Sequence, residues 1–143
     1  MQEEKIENFT SDKIFQMWDA LVSHKHFLLR CAASALNSEN TDIIFIYVTY
    51  LEIPTTLYGL EIAETRDSFL LDKFARRTGK IFDNAHRLFE IKSGGKEFYV
   101  IASQVLIDTN TLGTWESPLK AILGIPEKER KEYLLKLKSS FYM

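Results

Sequence analysis

Seven basic side chains crowd one part of this chain, Lys73, Arg76, Arg77, Lys80, Arg87, Lys92 and Lys96, against Asp72, Asp83, Glu90 and Glu97. A guanidinium offers paired N–H donors that match a carboxylate or a phosphate, so Arg76, Arg77 and Arg87 are the candidate ligand-binding residues, for a small anion. The plainer reading makes the same residues the solvated flank of a helix and the outer face of a hairpin. The formal net charge of the whole chain is −2. That argues against a dedicated nucleic-acid binder, because affinity for a phosphate backbone scales with positive charge. The charge is unevenly spread: residues 1–64 carry 4 Lys or Arg against 10 Asp or Glu, and residues 65–143 carry 14 against 10. Opposed halves of this kind suit an anion-binding face or head-to-tail association of two copies.

Other reactive residue types form no complete constellation. His24 and His26 are two apart, so on a helix they point about 200° apart and on a strand they share a face. The third histidine, His86, lies far along the chain, and one cysteine, Cys31, makes neither a disulfide nor a thiolate cage. No metal site and no cofactor are expected. Thr78-Gly79-Lys80 and Gly94-Gly95-Lys96 lack the glycine spacing and the following hydroxyl residue of a phosphate loop. No serine has the surroundings of an activated nucleophile.

Asp83, Glu90 and Lys92 resemble the D…(D/E)-x-K signature of metal-dependent nucleases. In that family two carboxylates hold a divalent ion and a lysine two residues on shares the strand face. The resemblance implies phosphodiester hydrolysis with these three residues in those roles. The chain departs from the pattern in two ways: six residues separate Asp83 from Glu90, too few for the intervening strands, and Asp83-Asn84 is a natural turn pair.

The elements that must position these residues can be read from pattern and punctuation. A length of 143 residues with 45% apolar and 27% charged residues predicts one globular domain spanning 1–143. Thr10-Ser11-Asp12 offers caps, and Ile14, Phe15, Trp18, Leu21 and Val22 recur at helical spacing, predicting a first helix. Residues 24–36 either continue that helix to about Leu36 or hold a strand after a break near Ser23. The run Asp42–Ile53, rich in β-branched and aromatic residues and ended by Pro54, predicts a long buried strand. Leu57–Glu64 alternates as its antiparallel partner. Asp67 or Ser68 caps a helix that ends with Arg76, Arg77 and Gly79. Gly94-Gly95 turns a hairpin between Arg87–Lys92 and Lys96–Ile107. Ser117-Pro118 and Pro126-Glu127 open two short final helices, with Thr109–Gly113 as a loop before them. The expected fold is therefore α+β, in the order α-β-β-α-β-β-α-α, with an antiparallel sheet of about four strands and helices packed mainly on one face.

The hairpin Arg87-Leu88-Phe89-Glu90-Ile91, its glycine turn and Glu97–Ser103 resemble the arginine-led hairpin of the chorismate-lyase-like fold over about thirty residues. The resemblance implies a small aromatic or anionic ligand, with Arg87 reading a carboxylate. With no catalytic set complete, the expected function is a non-catalytic cytoplasmic module that binds a protein partner or a small anionic ligand, as a homodimer in one version. The alternatives are a small enzyme or ligand-binding domain with an arginine-lined pocket, and the nuclease. A polar N-terminus and the lack of a long apolar run predict no secretory signal and no membrane span.

Overall fold

The computed structural model describes residues 4–5 and 8–119. It corrects the expected fold class. The chain builds one antiparallel sheet, and among the described residues there is a single α-helix, where about four strands and several helices were expected. The strands are β1 (Glu4–Lys5), β2 (Asn8–Leu21), β3 (His26–Cys31), β4 (Asn40–Ile46), β5 (Tyr50–Glu52), β6 (Thr56–Glu64), β7 (Arg87–Ser93), β8 (Lys96–Ala102) and β9 (Gln104–Asn110); the helix α1 is Ser68–Thr78.

The expected first helix is β2. Its register slips between Ser11 and Ile14 against β6 and again between Met17 and Asp19 against β3. Each slip inserts an extra residue and breaks the two-residue alternation of a strand, so the apolar side chains fall at spacings that imitate a helix. The chain then makes a 3-10 turn at Val22–His24, with Lys25 left-handed at φ 58°, and returns as β3. Residues 26–31 are thus the strand of the second alternative.

The expected strand over 42–53 is bent rather than straight. Tyr47 takes φ 58°, and the chain leaves β4 to re-enter the sheet as β5. Leu57–Glu64 does form a strand, but it pairs with β2 and β7, not with β4 or β5. The Gly94-Gly95 turn forms as expected, with both glycines at positive φ and β7 paired to β8 from Arg87↔Ala102 to Ser93↔Lys96, but the second arm expected to run to Ile107 breaks at Ser103, beyond which β9 pairs with β4 instead. Thr109 and Asn110 belong to β9 rather than to a loop. Ser117–Leu119 are not helical, and the rest of the two expected final helices lies outside the described residues.

The sheet order is β1-β9-β4-β3-β2-β6-β7-β8-β5. Only Ser103 separates β8 from β9, and only residues 47–49 separate β4 from β5, although the members of each pair stand near opposite ends of that order. Two hydrogen bonds join the bends: Ser103 N–H donates to the Ile46 carbonyl at 2.8 Å and Thr49 N–H to the Ile101 carbonyl at 2.9 Å. The sheet therefore closes on itself as a barrel of six long antiparallel strands, two of them bent. Closure leaves the paired segments of those six strands without a free hydrogen-bonding edge.

Inside the barrel, Phe15, Phe27, Leu29, Cys31, Ile43, Phe45, Leu57, Leu60, Ile62, Phe89, Ile91, Val100, Ala102 and Val105 form one apolar core. Each large side chain removed from water there contributes roughly 1.5–3 kcal/mol. Two smaller clusters cover parts of the outer surface. Phe74, Leu70 and Leu71 of α1 pack on Leu88, Tyr99 and Ile101; the stretch through Leu119 packs on Leu28, Ile44, Ile46 and Leu106. No helix among the described residues is long and apolar enough to cross a membrane.

Candidate functional site

Helix α1 leaves the sheet at the end of β6 and returns at the start of β7. These two strands are neighbours there, with Glu64 opposite Phe89 and Thr65 N–H donating to the Leu88 carbonyl at 2.9 Å. The connection therefore brings residues 64–66 against residues 86–88. Asp67 caps α1 by accepting from the Leu70 N–H at 3.0 Å. That cap fixes where Arg66 leaves the turn.

A cleft of about 150 Å³ opens at this junction, lined by Glu64, Arg66, His86 and Arg87 with the apolar Leu71, Phe82 and Leu88 among its walls. Arg87 is largely buried. One terminal nitrogen of its guanidinium donates to the Glu64 carboxylate in a very short contact, and the other reaches the Ser103 carbonyl at 3.4 Å. Its plane lies 5.6 Å from the Phe89 ring centre. Arg66 approaches the same Glu64 at 3.7 Å, beyond hydrogen-bond reach, so its donors can turn to another acceptor.

His86 is oriented by the loop before β7. Asp83 Oδ1 accepts from Ala85 N–H at 2.8 Å and from His86 N–H at 2.9 Å, and lies 3.2 Å from His86 Nδ1. The backbone bond from Ala85, then the bond to the His86 ring, hold the Asp83 carboxyl below the usual carboxylate range. The turn pairing expected of Asp83-Asn84 is thus realised, with His86 as the side chain it fixes.

Of the three expected ligand-binding residues, Arg87 lines this cleft. Arg76 and Arg77 stand exposed in the last turn of α1 and do not line it; Arg77 instead donates to Tyr50 Oη at 3.2 Å and lies 3.8 Å from Glu52. Arg66 is not among the residues expected from the sequence, and Glu64 is expected there only as the carboxylate that ends a strand. Their signal is positional: both sit where a strand ends and a capped helix begins, next to the start of the strand that follows the helix.

The nuclease-like trio is not gathered. Glu90 accepts from Tyr99 Oη at 3.1 Å and lies 3.8 Å from Lys92, while Asp83 serves the loop and His86. Burial and the adjoining Glu90 carboxylate push the Tyr99 phenol up to about 12. Among the described residues no group of three His, Cys, Asp or Glu side chains could hold a metal ion. His24 and His26 lie with ring centres 6.3 Å apart, and Cys31 is buried in the barrel core.

No protein-family model, curated protein or solved structure matches the chain. The likeness of the hairpin to the chorismate-lyase-like fold stays confined to the residues that carry it.

A second polar cluster lies on the outside of β3, β4 and β9, beneath the stretch that follows β9. Arg30 is 1% exposed. It grips Asp42 with two parallel bonds, Nε to Oδ1 at 2.6 Å and Nη2 to Oδ2 at 2.8 Å, and donates through Nη1 to the carbonyls of Gly113 at 3.2 Å and Glu116 at 3.0 Å. The Trp18 ring lies over the guanidinium at 5.4 Å, and its Nε1 donates to the Thr114 carbonyl at 3.1 Å. Asn110 Nδ2 bridges Asp42 and Asp108, and Asn40 Nδ2 donates to Asn110 Oδ1 and to the Leu112 carbonyl. The bonds from Trp18, Arg30 and Asn40 to the carbonyls of Leu112, Gly113, Thr114 and Glu116 make the cluster a clamp that fastens residues 112–116 to the barrel wall.

Proposed function

We propose that this chain is a non-catalytic cytoplasmic module that binds a small anion in the cleft between the β6–α1 connection and the start of β7. Arg87 is the fixed positive group, Arg66 the adaptable one, and Arg76 and Arg77 on the nearby helix add to the positive field that draws an anion in. One observation carries the reading: Arg66, His86 and Arg87 line a single cleft at which Arg87 already holds a carboxylate, that of Glu64. Titration of the full chain with acetate and with inorganic phosphate, followed through backbone amide resonances, tests it. Saturable shifts are expected at Thr65, Arg66, His86 and Arg87, and Arg87→Gln is expected to weaken them about tenfold. Absence of a response at these residues refutes the site.

A protein partner, a second copy of this chain included, is favoured by a different observation. Ile14 and Tyr58 form a cross-strand pair on the outside of β2 and β6 and are 51% and 74% exposed. Sedimentation of the wild type against Tyr58→Ser tests this reading, which fails if the wild type stays monomeric and retains no protein.

A further inference from the structure

We propose that a second cleft, between the end of β2 and the stretch after β9, binds an organic cation: an ammonium or guanidinium carried on an aliphatic stem. This site is separate from the Arg87 cleft and independent of the anion reading. It holds about 330 Å³ and is lined by Asp19, Ala20, Leu21, Trp115, Ser117 and Leu119. Asp19 is the charged residue of that lining. Its Oδ1 accepts from the Ala20 N–H at 2.8 Å, which leaves Oδ2 as an acceptor, and among the described residues no cation forms an ion pair with it. A carboxylate without a countercharge beside a cleft favours a positive ligand and repels a negative one.

Trp115 adds a second attraction for positive charge. Its side chain is 96% exposed, and the chain fixes its place. Arg30 donates to the carbonyls of Gly113 and Glu116, and Trp18 donates to that of Thr114, so bonds hold the backbone on both sides of Trp115. An indole face attracts a cation more strongly than any other aromatic side chain. Across the cleft, the register slip between Met17 and Asp19 lets Trp18 lie over Arg30 while the next residue, Asp19, lines the cleft; bulges re-aim side chains in this way. The clamp and the bulge thus converge on one place, where they present an indole and a carboxylate beside Leu21 and Leu119. Those apolar walls suit methylene groups. A purely apolar occupant would take water from Asp19 and give it no partner, whereas an aliphatic cation matches the carboxylate, the ring and the walls together. A lysine or arginine side chain of a partner protein and a free alkylamine share this chemistry.

Titration of the full chain with butylammonium, butylguanidinium, 1-butanol, butyrate and an end-blocked Gly-Lys-Gly peptide, followed through amide shifts and tryptophan fluorescence, tests the assignment. The two butyl cations are expected to bind saturably, about tenfold tighter than butanol or butyrate, with shifts at residues 19–21, 115, 117 and 119. Asp19→Asn, which keeps an oxygen for the Ala20 N–H, is expected to weaken them about tenfold, and Trp115→Ala about fivefold. Both are changes at exposed side chains, and unchanged urea midpoints separate their effects from loss of fold. Peptide binding tighter than butylammonium supports the site and identifies a partner's side chain as the source; weaker peptide binding supports it with a free amine as the source. Butanol or butyrate binding as well as the cations, cation binding indifferent to Asp19→Asn, or no saturable response at these residues overturns the proposal and leaves the anion cleft untouched.

Discussion

Replacing Arg30 by methionine removes the positive half of a buried, two-bond ion pair while keeping most of the side chain's length. Arg30 and Asp42 are both fully buried as side chains and are joined at 2.6 Å and 2.8 Å. In Arg30→Met the Asp42 carboxylate keeps the bond from Asn110 but no countercharge from Arg30, and the carbonyls of Gly113 and Glu116 lose their donor. Breaking one side of such a pair costs about 3–5 kcal/mol, a large part of the roughly 5–15 kcal/mol that holds a domain folded. Asp42→Asn strands the guanidinium in the same way and is expected to cost about 3 kcal/mol. The double variant buries no unmatched member of that pair, so its loss is expected to stay close to that of Arg30→Met alone. The coupling energy is then close to the Asp42→Asn loss, about 3 kcal/mol. Urea unfolding of the four proteins, compared at equal slope, measures the cycle, and limited proteolysis of residues 112–116 reports the clamp directly. An Arg30→Met loss under about 1 kcal/mol, or a double variant equal to the sum of the singles, refutes the assignment of these bonds as the fastening of that segment.

Phe74 is 1% exposed between the rings of Tyr50 and Tyr99, with centres at 5.5 Å and 4.7 Å; Phe74→Ala is expected to cost about 3 kcal/mol in chemical denaturation and to loosen α1 first in hydrogen exchange. Gly59 has φ +74°, and an added Cβ would stand 3.4 Å from the Ser11 carbonyl oxygen, so Gly59→Ala is expected to lower stability by about 1–2 kcal/mol by the same assay. The Asp83 carboxyl titrates below the ordinary carboxylate value in the folded chain. Its stabilising contribution is therefore complete above the unfolded value of about 3.9 and lost as pH falls through the folded one; carboxyl-carbon NMR checks this, and in His86→Gln the value is expected to rise only part of the way, since the Ala85 bond remains. The Tyr99 phenol is raised to about 12, so its contribution is present below about 10 and lost as pH rises toward the folded value; an ultraviolet titration of Glu90→Gln is expected to bring it back toward the ordinary phenol.

Local chemistry determined several parts of this protein before any folding in space. The Asp67 cap, Arg76 and Arg77 in the last turn and Gly79 after it delimit α1, and Gly94-Gly95 turns the β7–β8 hairpin. Both depend on backbone angles and orphaned N–H and C=O groups within a few residues, which side-chain type settles directly. The buried placement of Cys31 and the apolar character of residues 43–46 follow from composition in the same way.

Tertiary structure alone decided the rest. Register slips in β2 hid a strand under helical spacing, because its pairing with β3 and β6, not its own propensity, sets where each side chain faces. Barrel closure depends on bends at Tyr47 and Ser103 and on bonds between residues as far apart as Ile46 and Ser103. Arg30 shows the same limit: among Leu28, Leu29 and Cys31 it reads as an interruption of an apolar run, and its partners Asp42, Gly113 and Glu116 come from elsewhere in the chain. Arg66 and Arg87 share a cleft for a related reason, since α1 is an excursion between neighbouring strands and sequence distance across it says nothing about separation in space. Pairing and burial are long-range properties, and the chain's free energy ranks them only when all six barrel strands are present together.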